Sequence, residues 1–204
     1  MSTSTPQSAP QGFASDTQER LPLLPRERMN AAQQAAADSI IQGPRKAIFG
    51  PFVPLLHTPV LMERVGKLGE ALRFEGSLPD KLRELAICVV SRETHNQFEW
   101  QTHAPLAAKA GVAQASLDAL RVGARPTGMP ADEAQVVDFV QELLLRHGVS
   151  DASYTHAVAR LGEAGVVELC TLVGYFAMVC WVMNVARTPG PANSQATPLQ
   201  GLPG

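Results

Sequence analysis

Apolar residues recur at intervals of three and four along most of this chain, which is the period of an α-helix with one buried face. The pattern is regular in residues 59–74, where Thr58 is placed as the N-cap and Pro59 as the first helical residue. Gly76 follows and ends the helix. The spacing predicts that the buried face consists of Leu61, Val65, Leu68 and Leu72.

A second helix is predicted over residues 79–93, preceded by Ser77 and Asp80 at the spacing of a capping box. A central helix follows over residues 95–110 and runs into Gly111 as its stop. Glu84 lies on the second helix, about a third of a turn from its apolar face. That face is predicted to be Leu82, Leu85, Ala86, Val89 and Val90.

Glycine and proline divide the rest of the chain into further segments. Residues 26–41 have good helix propensity, whereas residues 43–59 hold too many prolines and glycines for a regular element. Further helices are predicted at residues 113–122, 132–146 and 151–161, the last capped by Ser150. The sequence therefore predicts an all-α fold, a single-domain helical bundle of seven or eight helices.

The last helix, residues 166–187, is the most apolar and has no charged side chain from Leu169 to Ala186. Its length is close to that of a membrane span. Several polar or small residues interrupt it, however, and no partner segment of similar character exists. A helix that is apolar all round is otherwise buried in a core or between subunits. We therefore expect no membrane span, and we expect a second subunit to cover part of this helix.

Composition sets the limits of the domain. The 204 residues carry a formal net charge of -2, so there is no basic footprint for nucleic acid. Residues 1–20 lack the features of a secretory signal and, like residues 188–204, have the composition of a disordered tail. Residues 21–187 are the predicted domain. The three cysteines all lie in apolar runs, which indicates reduced thiols and a cytoplasmic protein.

Titratable residues gather where the second helix gives way to the central one. His95, Glu99 and His103 are spaced by four, so on a continuous helix they form one stripe. Two imidazoles around a carboxylate can pass protons near neutral pH. The alternative is an ordinary solvated helix face. The neighbouring aromatic residues, and a kink expected at Pro105, favour the wall of a pocket.

A metal site is a further alternative for this stripe. His95 and His103 are two turns apart, about 12 Å, which is too far for one ion to reach both. The pair of Glu99 and His103 could still join ligands from elsewhere. The expectation for the chain is no metal and no cofactor.

Three segments of the chain resemble the carboxymuconolactone decarboxylase family, which also contains alkylhydroperoxidase D-type enzymes. They read GPFVPLLHTPVLMERVGKLGEALRF, LRELAICVVSRETHNQFEWQTHAPLAAKAGV and VVELCTLVGYFAMVCWVMNVARTP. With the residues just before them, they extend from about Gly43 to Pro189. The resemblance implies an alkylhydroperoxidase D-like fold and a homo-oligomer, either a trimer or a hexamer.

The chain departs from the peroxidase branch of that family at both thiols. That branch carries a glutamate, a Cys-x-x-Cys pair and a histidine four residues after the second cysteine. Counted from Glu84, the cysteine positions hold Asn96 and Glu99, and the histidine position holds His103. A peroxidase of this kind needs one thiolate to attack the peroxide and a second thiol to resolve the product. The pattern therefore resembles the decarboxylase branch.

The resemblance implies a cofactor-free decarboxylase of aromatic catabolism, acting on 4-carboxymuconolactone or on a related lactone or keto acid. Loss of carbon dioxide leaves a dienolate that needs one proton. We expect His103 to donate that proton, Glu99 to orient it and His95 to be a second acid or oxyanion partner. Glu84, the glutamate shared with the family, is expected either to support the reacting residues without touching the substrate or to act as a proton relay.

Four further residues are candidates for binding the substrate, which we expect to be a small anion. Asn96 is a candidate for a hydrogen bond and Trp100 for the pocket wall. Arg45 and His57 belong to the apolar loop of residues 43–59, which is a candidate cover for the pocket. The alternative for this loop is a packed connector.

Two other classes of function stay open. One is a thiol peroxidase that uses Cys88, which lies one turn after Glu84. The other is a non-catalytic member of the family that binds a small molecule. Peroxidase activity with a dithiol donor is not expected, because the Cys-x-x-Cys pair is missing.

Overall fold

The computed structural model describes residues 18–201, and within that range the chain is helical and contains no strand. Eight α-helices lie in this part of the chain, which confirms the predicted all-α class. In chain order they are α1 (Ala31–Gln42), α2 (Phe52–Leu55), α3 (Pro59–Glu70), α4 (Asp80–Glu93), α5 (Gln97–Lys109), α6 (Gln114–Arg121), α7 (Ala131–Arg146) and α8 (Asp151–Ala186).

The bundle is built around α4, which contacts α5, α6, α7 and α8. Every side chain from Leu85 to Arg92 is buried, so α4 is surrounded on all sides and not along one face alone. All five apolar residues predicted for its buried face lie in the core. The contact between α4 and α5 therefore lies in the interior, and this contact carries the candidate site.

The long helix α8 consists of two helical segments joined at Gly162, where φ is 72° and the backbone leaves helical geometry. The segments correspond to the separate helices predicted at 151–161 and 166–187. The Ser150 side chain caps the first one by accepting a hydrogen bond from the Ser153 backbone. Among the described residues, α8 is long and apolar enough to cross a membrane, but 56% of its most apolar window is buried, as in a core helix.

Two predictions for the first part of the chain need correction. The helix expected from residue 26 begins at Ala31, because Asn30 and Gln33 form a capping box there. Residues Arg26–Arg28 form a separate 3-10 turn. The loop of residues 43–59 was expected to hold no regular element but contains α2. Pro54 fits into this helix because it lies in the first turn, where its missing N–H is not needed.

The buried face of α3 also differs from the prediction. Leu61 and Leu68 are exposed, and the buried face includes Gly66 and Gly69 instead. A Cβ atom at Gly69 would collide with the Tyr175 hydroxyl, so this glycine is what lets α8 approach. A count of apolar side chains misses such a face because glycine carries none. After residue 70 the helix continues as a π-helical turn, Ala71–Glu75.

Neither of two predicted side-chain caps forms. Thr58 occupies the N-cap position of α3 without a capping hydrogen bond, and Ser77 does not pair with Asp80. The Ser77 backbone N–H and hydroxyl donate instead to Glu168 on α8, at 2.9 and 2.7 Å. A distant carboxylate thus holds the turn before α4, and local sequence cannot show such a contact.

The prediction that residues 188–204 stay outside the fold is wrong for residues 188–201. This segment forms no helix, but it runs along α5 and buries Leu199 in the main core. Of the predicted tail of residues 1–20, residues 1–17 lie outside the described residues. The Arg20 N–H donates to the Ala186 carbonyl at 2.8 Å. The division into two tails and one domain otherwise stays a prediction.

Candidate active site

Helix α5 begins two residues later than predicted, and this changes the site. Asn96 is its N-cap, and the Asn96 Oδ1 atom accepts a hydrogen bond from the Glu99 backbone N–H at 2.9 Å. His95 precedes the cap in a left-handed conformation, with φ of 54°. The predicted stripe of His95, Glu99 and His103 is therefore wrong, because His95 does not lie on the helix.

A different carboxylate completes the cluster. Glu84 reaches across from α4, and its Oε2 atom lies 2.6 Å from Nδ1 of His103. On the other side of the ring, Nε2 of His103 lies 3.2 Å from Oε2 of Glu99, one turn earlier on α5. All three residues are at most 5% exposed. The cluster is thus one imidazole between two carboxylates, not a carboxylate between two imidazoles.

The two carboxylates favour the charged form of the ring. Both nitrogens of His103 face a carboxylate oxygen, and only the imidazolium can donate to both. Burial opposes this charge, but the hydrogen bonds to Glu84 and Glu99 outweigh it and raise the pKa of His103. Burial also acts against the ionised form of Glu84. Its hydrogen bond with His103, and the charges of His103, Arg83 and Arg73, nevertheless lower the pKa of Glu84.

A narrow pocket of about 30 Å³ opens on the Glu99 side of the ring. Its walls are mainly aromatic, and Phe176 meets His103 edge to face with 5.2 Å between ring centroids. A volume of this size accommodates a water-sized molecule but not an organic acid. The polar residues around it, besides Glu99 and His103, are Arg45, Arg73, Thr102 and Tyr175.

Arg45 and Tyr175 form the polar side of this pocket. Arg45 is fixed by an ion pair with Glu70 at 2.6 Å and lies 4.5 Å above the ring centre of Phe52. Burial raises the pKa of Tyr175 to about 12, so its hydroxyl stays protonated and can donate a hydrogen bond. Arg45 was a predicted candidate and lies at the site. His57, the other candidate from the same loop, is exposed and does not line this pocket.

A larger and more open cleft of about 530 Å³ reaches the other end of the cluster at Glu84. Arg83 extends along it and pairs with Asp80 at 2.9 Å and with Glu84 at 3.4 Å. Arg73 and Lys109 also line it, and neither forms an ion pair with any residue in the range 18–201. The cleft therefore offers two unpaired cations beside a buried carboxylate.

Asn96 and Trp100, both expected to bind the substrate, lie outside these two cavities. Besides capping α5, the Asn96 side chain donates to Asn184 Oδ1 at 2.8 Å. The Trp100 Nε1 atom donates to the Thr197 carbonyl at 2.9 Å. Their contacts hold α5 against α8 and against the C-terminal segment. Trp100 also lines a separate cavity of about 160 Å³ beside that segment, which neither Glu84 nor His103 lines.

Sequence reasoning missed Arg73 and Tyr175. The sequence does mark Tyr175 as unusual, because it is one of the few polar side chains in the apolar segment of residues 166–187. Arg73 is not marked in this way. It lies in the π-helical turn after α3 and lines both cavities, and no sequence pattern marks that turn.

The cysteines are not arranged for thiol chemistry. Cys88 and Cys180 are fully buried, and burial raises the pKa of both well above the usual range. Cys170 is half-buried, and its pKa is also raised by burial. The thiolate is the reactive form of cysteine. All three residues are free thiols, and none has a neighbour that lowers its pKa below the ordinary value.

Within residues 18–201 there is no group of three or more His, Cys, Asp or Glu side chains arranged to hold a metal ion. The pair of Glu99 and His103 is itself a poor start for one. Both ring nitrogens already face carboxylates, so the imidazole has no free lone pair to offer a metal.

Fold and cluster together define a helical-bundle protein with a buried carboxylate–imidazole–carboxylate centre. Comparison of the sequence with protein families shows a partial likeness: residues 59–142 match the model of the Carboxymuconolactone decarboxylase family. The matched segment contains Glu84, Glu99 and His103. The match confirms, over residues 59–142, the resemblance predicted from the sequence.

A solved structure shares the fold. It is the alkylhydroperoxidase AhpD core of an uncharacterized peroxidase-related protein from Ralstonia eutropha JMP134. The TM-score is 0.69 over 85% of this chain and 93% of the other, at 13% sequence identity. At that identity the likeness shows the fold alone, and it confirms the alkylhydroperoxidase D-like fold. A search of curated protein sequences found no match.

Proposed function

We propose that this protein is a cofactor-free decarboxylase that acts on a small organic anion such as 4-carboxymuconolactone or a related lactone or keto acid. The observation that carries the proposal is that His103 is held between Glu84 and Glu99 next to a basic cleft. Such a cluster stores one proton in the interior and can deliver it near neutral pH.

Decarboxylation needs that proton once per turnover. The bond between the ring carbon and the carboxylate carbon breaks, and carbon dioxide leaves without its electron pair. The pair moves into the conjugated lactone as a dienolate, and a proton must then be added to carbon. The enzyme has to bind the anion, stabilise the developing oxyanion and supply the proton.

The geometry favours Glu84 as the last carrier of the proton, with His103 behind it. Both nitrogens of His103 point at carboxylates, so its proton reaches a substrate most directly through one of them. Glu84 lines the cleft, which is large enough for a lactone, whereas the pocket at Glu99 is not. When the dienolate forms, Glu84 transfers a proton to the substrate carbon and receives the proton of His103 in its place. His103 is then reprotonated from solvent.

The cations of the cleft suit an anionic substrate. Arg83 already forms ion pairs with Asp80 and Glu84. Arg73 and Lys109 form none within the described residues and can bind a carboxylate of the substrate. A guanidinium beside the reacting group also stabilises an oxyanion as it forms. These residues replace Asn96, Trp100, His95 and His57 as the proposed contacts with the substrate.

A thiol peroxidase is the alternative suggested by the structural neighbour, which is a peroxidase-related protein. The cysteines do not favour this alternative. A peroxidase of this kind needs a thiolate, and burial raises the pKa of all three thiols. Replacing Cys88 by Ser is therefore expected to leave activity in place. Free thiols throughout also favour the reducing cytoplasm as the compartment.

The test is steady-state release of carbon dioxide from 4-carboxymuconolactone. His103→Gln keeps the size of the ring but cannot carry the proton, so the rate is expected to fall by about 100-fold or more. His156→Ala, at an exposed histidine on α8, is the control and keeps the wild-type rate. Wild-type turnover by a folded His103→Gln variant removes His103 from the mechanism. Lack of turnover by the wild type rejects this substrate.

A further inference from the structure

The C-terminal segment is bound to the body of the protein in the way that a separate peptide would be. The side-chain amide of Gln97 pairs with both backbone groups of Leu199: Oε1 accepts from its N–H and Nε2 donates to its carbonyl, each at 3.0 Å. The Trp100 Nε1 atom donates to the Thr197 carbonyl at 2.9 Å. Side chains of α5 therefore form hydrogen bonds with the backbone of this segment, as a protein does with a bound peptide.

Both neighbouring helices extend this groove. Arg92 on α4 donates to the Gln200 carbonyl, and the Gln200 N–H donates to the carbonyl of Arg121 at the end of α6, at 3.2 Å. At the other end the Ser194 hydroxyl donates to the backbone carbonyl of Gln101 at 2.8 Å. The contacts cover residues 194–200, which we name the strap. The groove lies between the ends of α4, α5 and α6.

The strap has one buried anchor. The Leu199 side chain is 4% exposed and belongs to the main core, while the flanking Pro198 and Gln200 are exposed. Proline before the anchor fixes its own φ and favours an extended chain, which lowers the entropy lost on binding. An apolar anchor with backbone hydrogen bonds on either side is the usual plan of a peptide site.

The groove is built for an occupant. Gln97 is 1% exposed and Trp100 is 2% exposed, yet the hydrogen-bonding groups of both side chains find their partners only on the strap. Buried polar groups without partners cost free energy, so an empty groove is unfavourable. Within the described range the strap is connected to the helical body through the non-helical residues 188–193, which follow α8.

We propose that this groove is a peptide-binding site, that its occupant is the chain's own segment 194–200, and that the same segment binds when it is supplied as a separate peptide. Binding orders the α5 face that carries Gln97 and Trp100. Glu99 and His103 lie on another face of the same helix, so the strap also supports the position of the candidate site. The proposal does not depend on which reaction the site performs.

The experiment frees the groove in the full chain and then offers it the peptide. Trp181→Phe leaves Trp100 as the only tryptophan and makes its emission the signal. Leu199→Asp in that background is expected to release the strap and shift the Trp100 emission to the red, because a charge cannot be buried in the core. A peptide of residues 190–201 is expected to reverse the shift with saturation.

Three controls make the result specific. Asn193→Asp adds the same charge at an exposed position before the strap and is expected to leave the emission unchanged. A peptide carrying Asp in place of Leu199 is expected not to bind. In the wild-type protein the strap competes with the peptide at high effective concentration. The peptide is therefore expected to bind the Leu199→Asp protein at least 10-fold more tightly than the wild type. Equal binding to both proteins overturns the proposal, as does a folded variant that binds no peptide.

A second design covers the case in which Leu199→Asp does not fold. A protease site replaces residues 190–193 in the full chain, and the chain is cut after it has folded. The cut strap is expected to stay bound at micromolar concentration and to exchange with a labelled copy of the peptide. A strap that leaves at once, or that never exchanges, contradicts the proposal.

Discussion

At the scale of single residues, the site depends on how protons are shared among Glu84, His103 and Glu99. The pKa of His103 is raised in the fold, so its pairing stabilises the protein below the ordinary histidine pKa and is lost as pH rises through the folded value. The pKa of Glu84 is lowered, so its contribution is present above the ordinary glutamate pKa and is lost as pH falls through the folded value. The cluster therefore stabilises the fold most between the ordinary pKa of glutamate and the ordinary pKa of histidine.

The cleft makes a prediction at the same scale. Arg73→Gln and Lys109→Gln each remove a cation that lines the cleft but donates no proton. Each is expected to raise KM for the anionic substrate by about 10-fold or more, since one charge-assisted hydrogen bond is worth about 1.5–3 kcal/mol. Lys67→Gln, on the exposed side of α3, is the control and keeps KM. An unchanged KM in both cleft variants places the substrate elsewhere.

The sequence contained the three residues of the cluster but not their arrangement. Spacing of four correctly paired Glu99 with His103, because that relation is local to one helix. It also attached His95 to the stripe, although the helix starts only after Asn96. Glu84 joins through a contact between helices, 19 positions away, and a periodicity argument has no access to such a contact.

At the scale of elements, the start of α5 decides where Glu99 and His103 point. Asn96 fixes the start of α5 with three hydrogen bonds. Its Oδ1 atom accepts from the Glu99 N–H, and its Nδ2 atom donates to Asn184 Oδ1 and to the Cys180 carbonyl. Predicted helices agreed with observed ones where a strong breaker bounds them, as at Gly76 and Gly111. They failed where the determining contact is distant, as for Ser77 with Glu168, or where glycine forms the buried face, as on α3.

The contribution of the Asn96 cap to the stability of α5 can be measured. Asn96→Ala removes the cap and leaves buried groups on α8 without partners, so it is expected to cost about 2–3 kcal/mol of unfolding free energy. Asn30→Ala removes the cap of α1 at an exposed position and is expected to cost about 1 kcal/mol or less. Chemical denaturation of both variants checks this. Equal losses contradict a special role for Asn96.

At the scale of the whole molecule, two exposed apolar faces stand out. One is on α8, where Val167, Trp181 and Val185 are 66%, 59% and 64% exposed. The other is on α3 and the π-helical turn, with Val60, Leu61 and Phe74. Large apolar faces on a soluble protein mark contact with other molecules. We propose that a second copy of the chain covers the α8 face, in a trimer or a hexamer.

Sedimentation at micromolar concentration tests the assembly. The chain of 21.8 kDa is expected to sediment as a trimer or larger. Trp181→Glu is expected to reduce the assembly, because it places a charge on the α8 face. Tyr154→Glu changes an exposed aromatic residue at the opposite end of the same helix and is expected to have no effect. A wild-type monomer contradicts the prediction.

The central claim is that His103 is an imidazolium at neutral pH because two carboxylates hold it. Nitrogen NMR of the ring tests this directly and needs no substrate, and the resonances are assigned among the five histidines by comparison with His103→Gln. We expect both ring nitrogens of His103 to be protonated at pH 7, with a titration above the ordinary value of about 6.5 that moves down in Glu84→Gln. A neutral ring with one unprotonated nitrogen at pH 7 contradicts the account.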